Sequence, residues 1–307
     1  MRVAVVDIGT NSTRLLVADV EGGRVTDELE RESVVTRLGA GVDAEGLLQP
    51  EAMERVYATL ARYRELIDRH GADTAVAVLT SAVRDAANGE EFADTVRTRY
   101  GLEPHILTGD QEAGLTFLGA TSERDPDDRT PTLLVDIGGG STEVVIGTGR
   151  EAEFHVSNQV GVVRQTERCI HTDPPTQGEL DALAEEARAI LEHGVPPDRR
   201  TGVQRAIAVA GTATSLGAIA QELEPYDASK VHGYVLTRSE CEAILARLAG
   251  MTLAERRKTP GLDPARAPTI VAGVVILLRV LDLFGLDHVE VSEHDILRGA
   301  ALGLAGH

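Results

Sequence analysis

The sequence predicts a duplicated mixed α/β architecture, and three observations carry that prediction. First, "AVVDIGTNSTRLLVA" (residues 4–18) and "LLVDIGGGSTEVVIG" (133–147) each read as a strand, a glycine turn and a second strand. Second, at an offset of 129, Val6 to Thr13 and Val135 to Thr142 agree at six of eight positions. Third, each copy heads one half of the chain, and each half continues by alternating strands with helices. The composition, 42% hydrophobic and 26% charged, suits a globular chain of one large or two ordinary domains. With no Trp and only 3% aromatic residues, the core must be built of Val, Leu, Ile and Ala.

In the first half, residues 2–7 read as a strand, 12–20 as its hairpin partner and 24–36 as a third extended stretch. Pro50 suits a helix start and Gly71 a helix stop. Between them Met53, Val56, Leu60, Tyr63 and Ile67 recur at the spacing of one helical face. "TAVAVL" (74–79) predicts a buried strand, Asn88 the cap of a helix ending before Gly101, and "HIL" (105–107) a short strand. The polar stretch "SERDPDDRTP" (122–131) precedes the second hairpin. There the pattern returns: extended "AEFHVS", helices around 161–170 and 177–193, strand "RAIAVA" (205–210), and a helix opened by "GTATSLGAIA". Thr237 and Glu240 have the spacing of a capping box. "APTIVAGVVILL" (267–278) is too short to span a bilayer and reads as a buried helix. "HVEVS" (288–292) is a late strand, and 294–305 a last helix.

The net charge of −19 argues against a general nucleic-acid or acidic-membrane binder. It leaves room for an anionic substrate held by local arginines and metal ions. Cys169 and Cys241 form no C-x-x-C pair, and the nine His form no metal motif, so neither a disulfide framework nor a zinc site is expected. The N-terminus runs straight into a strand without a signal peptide, and the expected compartment is the cytoplasm.

The hairpins carry the candidate chemistry. After Asp136, the run Gly138, Gly139, Gly140 lets the backbone adopt positive φ and brings N–H groups close to a ligand. Successive N–H groups facing one concavity make an anion site, and Ser141 and Thr142 add hydroxyls. A carboxylate beside a bound phosphate calls for a cation, and Mg²⁺, held by Asp136 and Glu143, is the natural one. The first hairpin offers Asp7, Gly9, Thr10, Asn11 and Ser12, with Arg14 where the second has Glu143. One loop then presents acid toward a metal and the other a guanidinium toward phosphate, with Asp7 as a further metal ligand. Either hairpin alone also reads as an ordinary turn. The matched pair favours two loops gripping a phosphate chain, an arrangement that resembles the actin-like, sugar-kinase and chaperone ATPase superfold.

Three further stretches narrow the resemblance: "LTSAVRDAANGEEF" (79–92), "LTGDQEAGLTFLGA" (107–120) and "VAGTATSLGAI" (209–219). With the hairpins they resemble the exopolyphosphatase/guanosine-pentaphosphate phosphatase family over nearly the whole chain. The resemblance implies two actin-like (ribonuclease H-like) domains of mixed sheet and helices flanking a central cleft. Domain I is expected over 1–112, completed by 293–307, and domain II over 113–292. The implied activity is Mg²⁺-dependent hydrolysis of the terminal phosphate of inorganic polyphosphate, of short chains by preference, with pppGpp as the alternative substrate. The expected assembly is a homodimer. Glu112 becomes the general base, Asp136 and Glu143 its catalytic companions, and Arg84, Gly211 and Thr212 phosphate ligands. Taken without the family, Glu112 reads equally as a first-turn Glu favoured by the helix dipole, and Arg84 as a solvated surface residue. Gln111 stands where a second acid is common, Gly114 where an Arg often follows, and the "SEHDILRG" ending, with His294 and Arg298, departs from the usual pattern. Rival readings are an ATP-dependent small-molecule kinase, for which no adenine pocket is visible in the sequence, and a non-catalytic actin-like scaffold, in which Glu112 would be dispensable.

Overall fold

The computed structural model describes residues 1–305. The chain divides into two units: Met1–Glu123 joined by the segment from Asp295, and Arg124–His294.

Unit 1 is built on strands β1 (Arg2–Ile8), β2 (Ser12–Glu21), β3 (Arg24–Val35), β4 (Thr74–Leu79) and β5 (Glu103–Ile106), in the order β3-β2-β1-β4-β5. β1 pairs antiparallel with β2 and β2 with β3, whereas β1, β4 and β5 run parallel. Unit 2 carries β6 (Thr132–Ile137), β7 (Thr142–Thr148), β8 (Glu151–Asn158), β9 (Arg205–Val209), β10 (Val235–Thr237) and β11 (His288–Val291). Its order is β10-β11-β9-β6-β7-β8. Without the short edge strand β10, which pairs antiparallel with β11, the two sheets have the same order and sense. The sequence repeat is therefore a repeat of fold, and both units are actin-like. β1 and β6 lie at the centre of their sheets, covered on both faces, which explains why "VAVVDI" and "TLLVDI" are almost continuously apolar.

The sheet of unit 1 has a different cover on each face. One face packs on the helices Pro50–His70 and Gly89–Tyr100 through Val56, Leu60, Tyr63, Phe92 and Val96. Pro50 opens the first of these and Gly71, in the left-handed conformation, closes it. The Tyr63 hydroxyl donates to the Thr13 carbonyl at 2.9 Å and ties this helix to the first hairpin. Asn88 does stand before the second helix, but its side chain does not cap it. It bonds instead to the N–H and carbonyl of Leu48, at 2.8 and 3.1 Å.

The other face is covered by the C-terminal helix Ile296–Ala305, whose Ile296, Leu297, Ala301 and Leu302 pack on Val3, Val5, Leu16 and Val78. Beside it lies the helix Gly109–Thr121. The two helices approach through glycine. A Cβ on Gly119 would stand 1.8 Å from the Asp295 carbonyl oxygen, and one on Gly299 1.8 Å from that of Leu115. This contact moves the boundary. A division after residue 112 would cut the helix Gly109–Thr121, which belongs to unit 1 in full. Residues 306 and 307, assigned to domain I from the sequence, lie outside the described residues.

In unit 2 the helix Ile270–Phe284 is buried nearly all round. It begins after Pro268, later than the apolar run, and continues past Arg279 to a left-handed stop at Gly285. Around it stand the helices Val162–Cys169, Gln177–Gly194, Ala210–Ala220 and Arg238–Ala249. The expected capping box of Thr237 and Glu240 is formed, and Thr176 with Glu179 makes another.

Candidate active site

In unit 1 the first hairpin holds its loop by backbone. The Gly9 N–H donates to the Ser12 carbonyl at 3.0 Å. The carbonyls of Asn11 and Thr10 accept from Thr36, Arg37 and Gly39. Gly39 is required there, since a Cβ would lie 2.3 Å from Thr10 Cγ2. Among the described residues the N–H groups of Thr10 and Asn11 have no protein acceptor.

Arg14 does not reach out from this hairpin. It stands opposite Asp7 in the ladder and donates from Nε and Nη2 to Asp7 Oδ2, at 2.9 and 2.6 Å. Its Nη1 donates to Asp295 Oδ2. The guanidinium expected to face phosphate is thus engaged by two buried carboxylates. Burial pulls the Arg14 guanidinium toward deprotonation, but Asp295 and Asp7 more than offset it and hold its pKa above the usual value. Asp7 is raised by burial, against the opposing pull of Arg14. Its Oδ1 is buried with no hydrogen-bond partner among the described residues, which suits a cation or a cation-bound water.

Glu112 lies in the first turn of Gly109–Thr121, where Thr108 and Gln111 form a capping box. Gln111 is therefore engaged locally, its Oε1 accepting from the Thr108 N–H at 2.9 Å. Arg84 ends a single helical turn, Ser81–Arg84, directly after β4. That turn is tied to the first hairpin by a 2.9 Å hydroxyl contact between Ser81 and Thr10. Arg84 Nη1 donates to the Leu107 carbonyl at 2.9 Å and to Glu112 Oε2 at 3.2 Å. The proposed base and one proposed phosphate ligand thus meet directly.

In unit 2 the second hairpin repeats the first. The Gly138 N–H donates to the Ser141 carbonyl at 2.9 Å. The Gly138 and Gly139 carbonyls accept from Val162, Val163 and Arg164, and a Cβ on Gly161 would lie 2.5 Å from the Gly139 carbonyl oxygen. The expectation of positive φ fails: Gly9, Gly138, Gly139 and Gly140 all lie outside that region. What the glycines supply is access. The N–H groups of Gly139, Gly140 and Ser141 have no protein acceptor among the described residues, and no Cβ covers Gly139 or Gly140. Asp136 and Glu143 stand opposite each other in the ladder, where unit 1 pairs Asp7 with Arg14. Two carboxylates so placed favour a cation, because like charges directly opposite repel. Glu143 Oε1 is fixed by the hydroxyls of Ser141 and Ser157, at 2.8 and 2.7 Å.

Two expected ligands turn inward. Thr142 is wholly buried and its hydroxyl donates to the Val160 carbonyl at 2.6 Å, so that side chain braces the loop. The buried Thr212 hydroxyl donates to the Ile137 carbonyl at 3.2 Å and steadies the end of β6. Gly211 stands at the start of Ala210–Ala220 with exposed Arg266 against it: a Cβ there would lie 1.4 Å from Arg266 Nη1. Ala210 has φ of 61°, a strained value for a residue with a Cβ. Arg266, and Arg164 whose Nε donates to the Gly140 carbonyl at 2.9 Å, are cations at the loops that sequence reasoning missed. They arrive from loops and helices far along the chain, and no spacing announces them. Arg298 is buried and pairs with Glu28 and Glu123, at 2.9 and 3.0 Å, anchoring the C-terminal helix in unit 1. His294 is buried in unit 2, with its ring 3.9 Å from that of His232.

Unit 2 offers loop N–H donors and arginines suited to phosphoryl oxygens and two carboxylates suited to a divalent cation; unit 1 offers loop N–H donors, Arg84 and a half-buried carboxylate suited to a water proton. Comparison with known proteins agrees with that chemistry. Residues 16–305 match the Ppx/GppA phosphatase family. The chain is 41% identical to exopolyphosphatase 2 of Mycobacterium tuberculosis, covering 99% of each. It superposes on the crystal structure of the Aquifex aeolicus family member with a TM-score of 0.87 at 32% identity, covering 99% of this chain and 97% of that one. An exopolyphosphatase from Cytophaga hutchinsonii aligns with a TM-score of 0.86 at 26% identity, covering 100% and 98%.

Proposed function

Because the chain belongs to the Ppx/GppA phosphatase family, and so hydrolyses phosphoric anhydride bonds, we propose that it is an exopolyphosphatase that removes terminal phosphate from inorganic polyphosphate. The observation that carries this reading is the second hairpin: unengaged loop N–H groups beside Asp136 and Glu143 held in register. The exopolyphosphatase name of a relative at 41% identity favours polyphosphate over pppGpp.

Each unit contributes its share. Unit 2 binds phosphoryl oxygens through Gly139, Gly140 and Ser141, with Arg266 at the start of the helix carrying Gly211 and Thr212. Unit 1 adds the N–H groups of Thr10 and Asn11, the loop of Gly9 and Ser12, and Arg84. Arg14 acts at one remove by orienting Asp7. Glu112 takes the proton from the attacking water. In unit 2 Asp136 and Glu143 would hold Mg²⁺; in unit 1 Asp7 Oδ1 is an oxygen donor of the hardness such an ion takes. Bound there, the ion would neutralise charge on the phosphoryl oxygens. Both cysteines are buried and unbridged, which fits a cytoplasmic enzyme. Among the described residues no helix is long and apolar enough to cross a membrane. A homodimer is our reading of the assembly, checked by sedimentation.

The test is phosphate release from short polyphosphate, long polyphosphate, pppGpp and ATP, with and without Mg²⁺. Release from polyphosphate alone, dependent on Mg²⁺, is the expected result. Preference for pppGpp would reassign the substrate, and release only from ATP would overturn the reading.

A further inference from the structure

Arg84 and Glu112 form an ion pair, and each side chain is roughly one-third exposed, at 31% and 30%. We propose that this pair is a substrate-released latch: Arg84 holds the base until a phosphoryl oxygen draws the guanidinium away. Arg84 is then a positioning residue as well as a phosphate ligand. The inference rests on the reading of Glu112 as general base.

The geometry supports an exchange rather than a fixed structural bridge. The Leu107 carbonyl accepts from Arg84 at 2.9 Å, a shorter contact than the 3.2 Å to Glu112. That carbonyl can keep the guanidinium in place while its remaining N–H groups change partner. The Thr108–Gln111 box fixes the backbone that carries Glu112, so only its side chain can follow the guanidinium. A partly exposed ion pair contributes only about 0–1 kcal/mol. Arginine bonds to phosphoryl oxygens form a charge-assisted fork and are the stronger alternative. An arginine beside a carboxylate weakens it as a proton acceptor. Transfer of the guanidinium to a phosphoryl oxygen would therefore strengthen the base where a phosphate is in position.

The experiment is a double-mutant cycle on equilibrium binding. Wild type, Glu112→Gln, Arg84→Gln and the double variant are titrated calorimetrically with the bis-methylene analogue of tripolyphosphate, which contains no hydrolysable bridge. If Glu112 competes for Arg84, Glu112→Gln should bind about fivefold tighter than wild type. In the Arg84→Gln background that gain should fall below about twofold. An equal gain in both backgrounds would mean plain repulsion between Glu112 and the anion, and no gain would mean no competition; either overturns the latch. Arg84→Lys, which keeps the charge, serves if Arg84→Gln does not fold, and should retain part of the coupling. Loss of the base reading would be seen separately, as full phosphate release by Glu112→Gln.

Discussion

Glu112→Gln keeps the shape of the first helical turn and removes the proton acceptor. We expect kcat to fall about 10²–10⁴-fold with substrate bound at least as tightly as by wild type, read as phosphate release under saturating polyphosphate. A variant above half of wild-type kcat would reassign the base. Asp136→Ala and Glu143→Ala should raise the Mg²⁺ concentration for half-maximal activity as well as lower the rate. Wild-type values in both would place the ion elsewhere. Arg14→Ala leaves the buried carboxylates of Asp7 and Asp295 without their shared cation. Stability should drop by about 3–5 kcal/mol, measured as a lower urea midpoint, and a change under about 1 kcal/mol would mean the triad is dispensable. At this scale the sequence disclosed that the two hairpins repeat, with Asp7 and Asp136 at matching places in their ladders. It hid partners that meet only in three dimensions. Asp295 lies 281 residues from Arg14, and nothing local announces that the arginine is already taken. Thr142 and Thr212 look like free hydroxyls in a motif, yet packing turns both onto carbonyls of their own unit.

Secondary elements were legible where a period and a stop signal coincide. The helix from Pro50 to Gly71 and the strand 74–79 are such cases. Asn88 misled because its side chain found Leu48, a long-range partner that competes with capping. The division at 112 missed because Gly119 and Gly299 signal helix packing only when the two helices are seen together. Gly119→Ala and Gly299→Ala should each cost about 1–3 kcal/mol by overpacking, visible as a lowered denaturation midpoint. Full stability would show that the two helices can separate without loss. The capping box at the head of Gln177–Gly194 makes a separate prediction. Glu179 accepts from the Thr172 hydroxyl and the N–H groups of Thr176 and His171, which pull its pKa down from 4.5 to about 2. A carboxylate depressed in the folded state stabilises fully above its unfolded value and loses that contribution as pH falls through the folded one. Glu179→Gln should therefore flatten the fall in melting temperature between about pH 4.5 and 2. An unchanged slope over that window would remove Glu179 as its source.

For the molecule as a whole, the net charge of −19 acts on any polyanion within a Debye length, about 8 Å at physiological salt. Loop N–H groups and arginines hold a few phosphates, while the rest of a long chain meets like charge softened by its own Mg²⁺. We expect higher kcat/KM per chain end on short polyphosphate and release after few cleavages, with product lengths read on a gel. Processive loss of long chains without intermediates would reveal an extended basic track. The closing of unit 1 by its C-terminal helix has a further consequence, for biosynthesis. A ribosome delivers residues 124–294, all of unit 2, before the helix that covers Val3, Val5, Leu16 and Val78 has left the exit tunnel. The segment synthesised first is thus the last to be finished, and until then it shows a bare apolar sheet face of the kind chaperones hold. Chains truncated after residue 294 and released from the ribosome should carry a protease-resistant second half and a protease-sensitive first half, and supplying the missing helix as a peptide should restore resistance to the first.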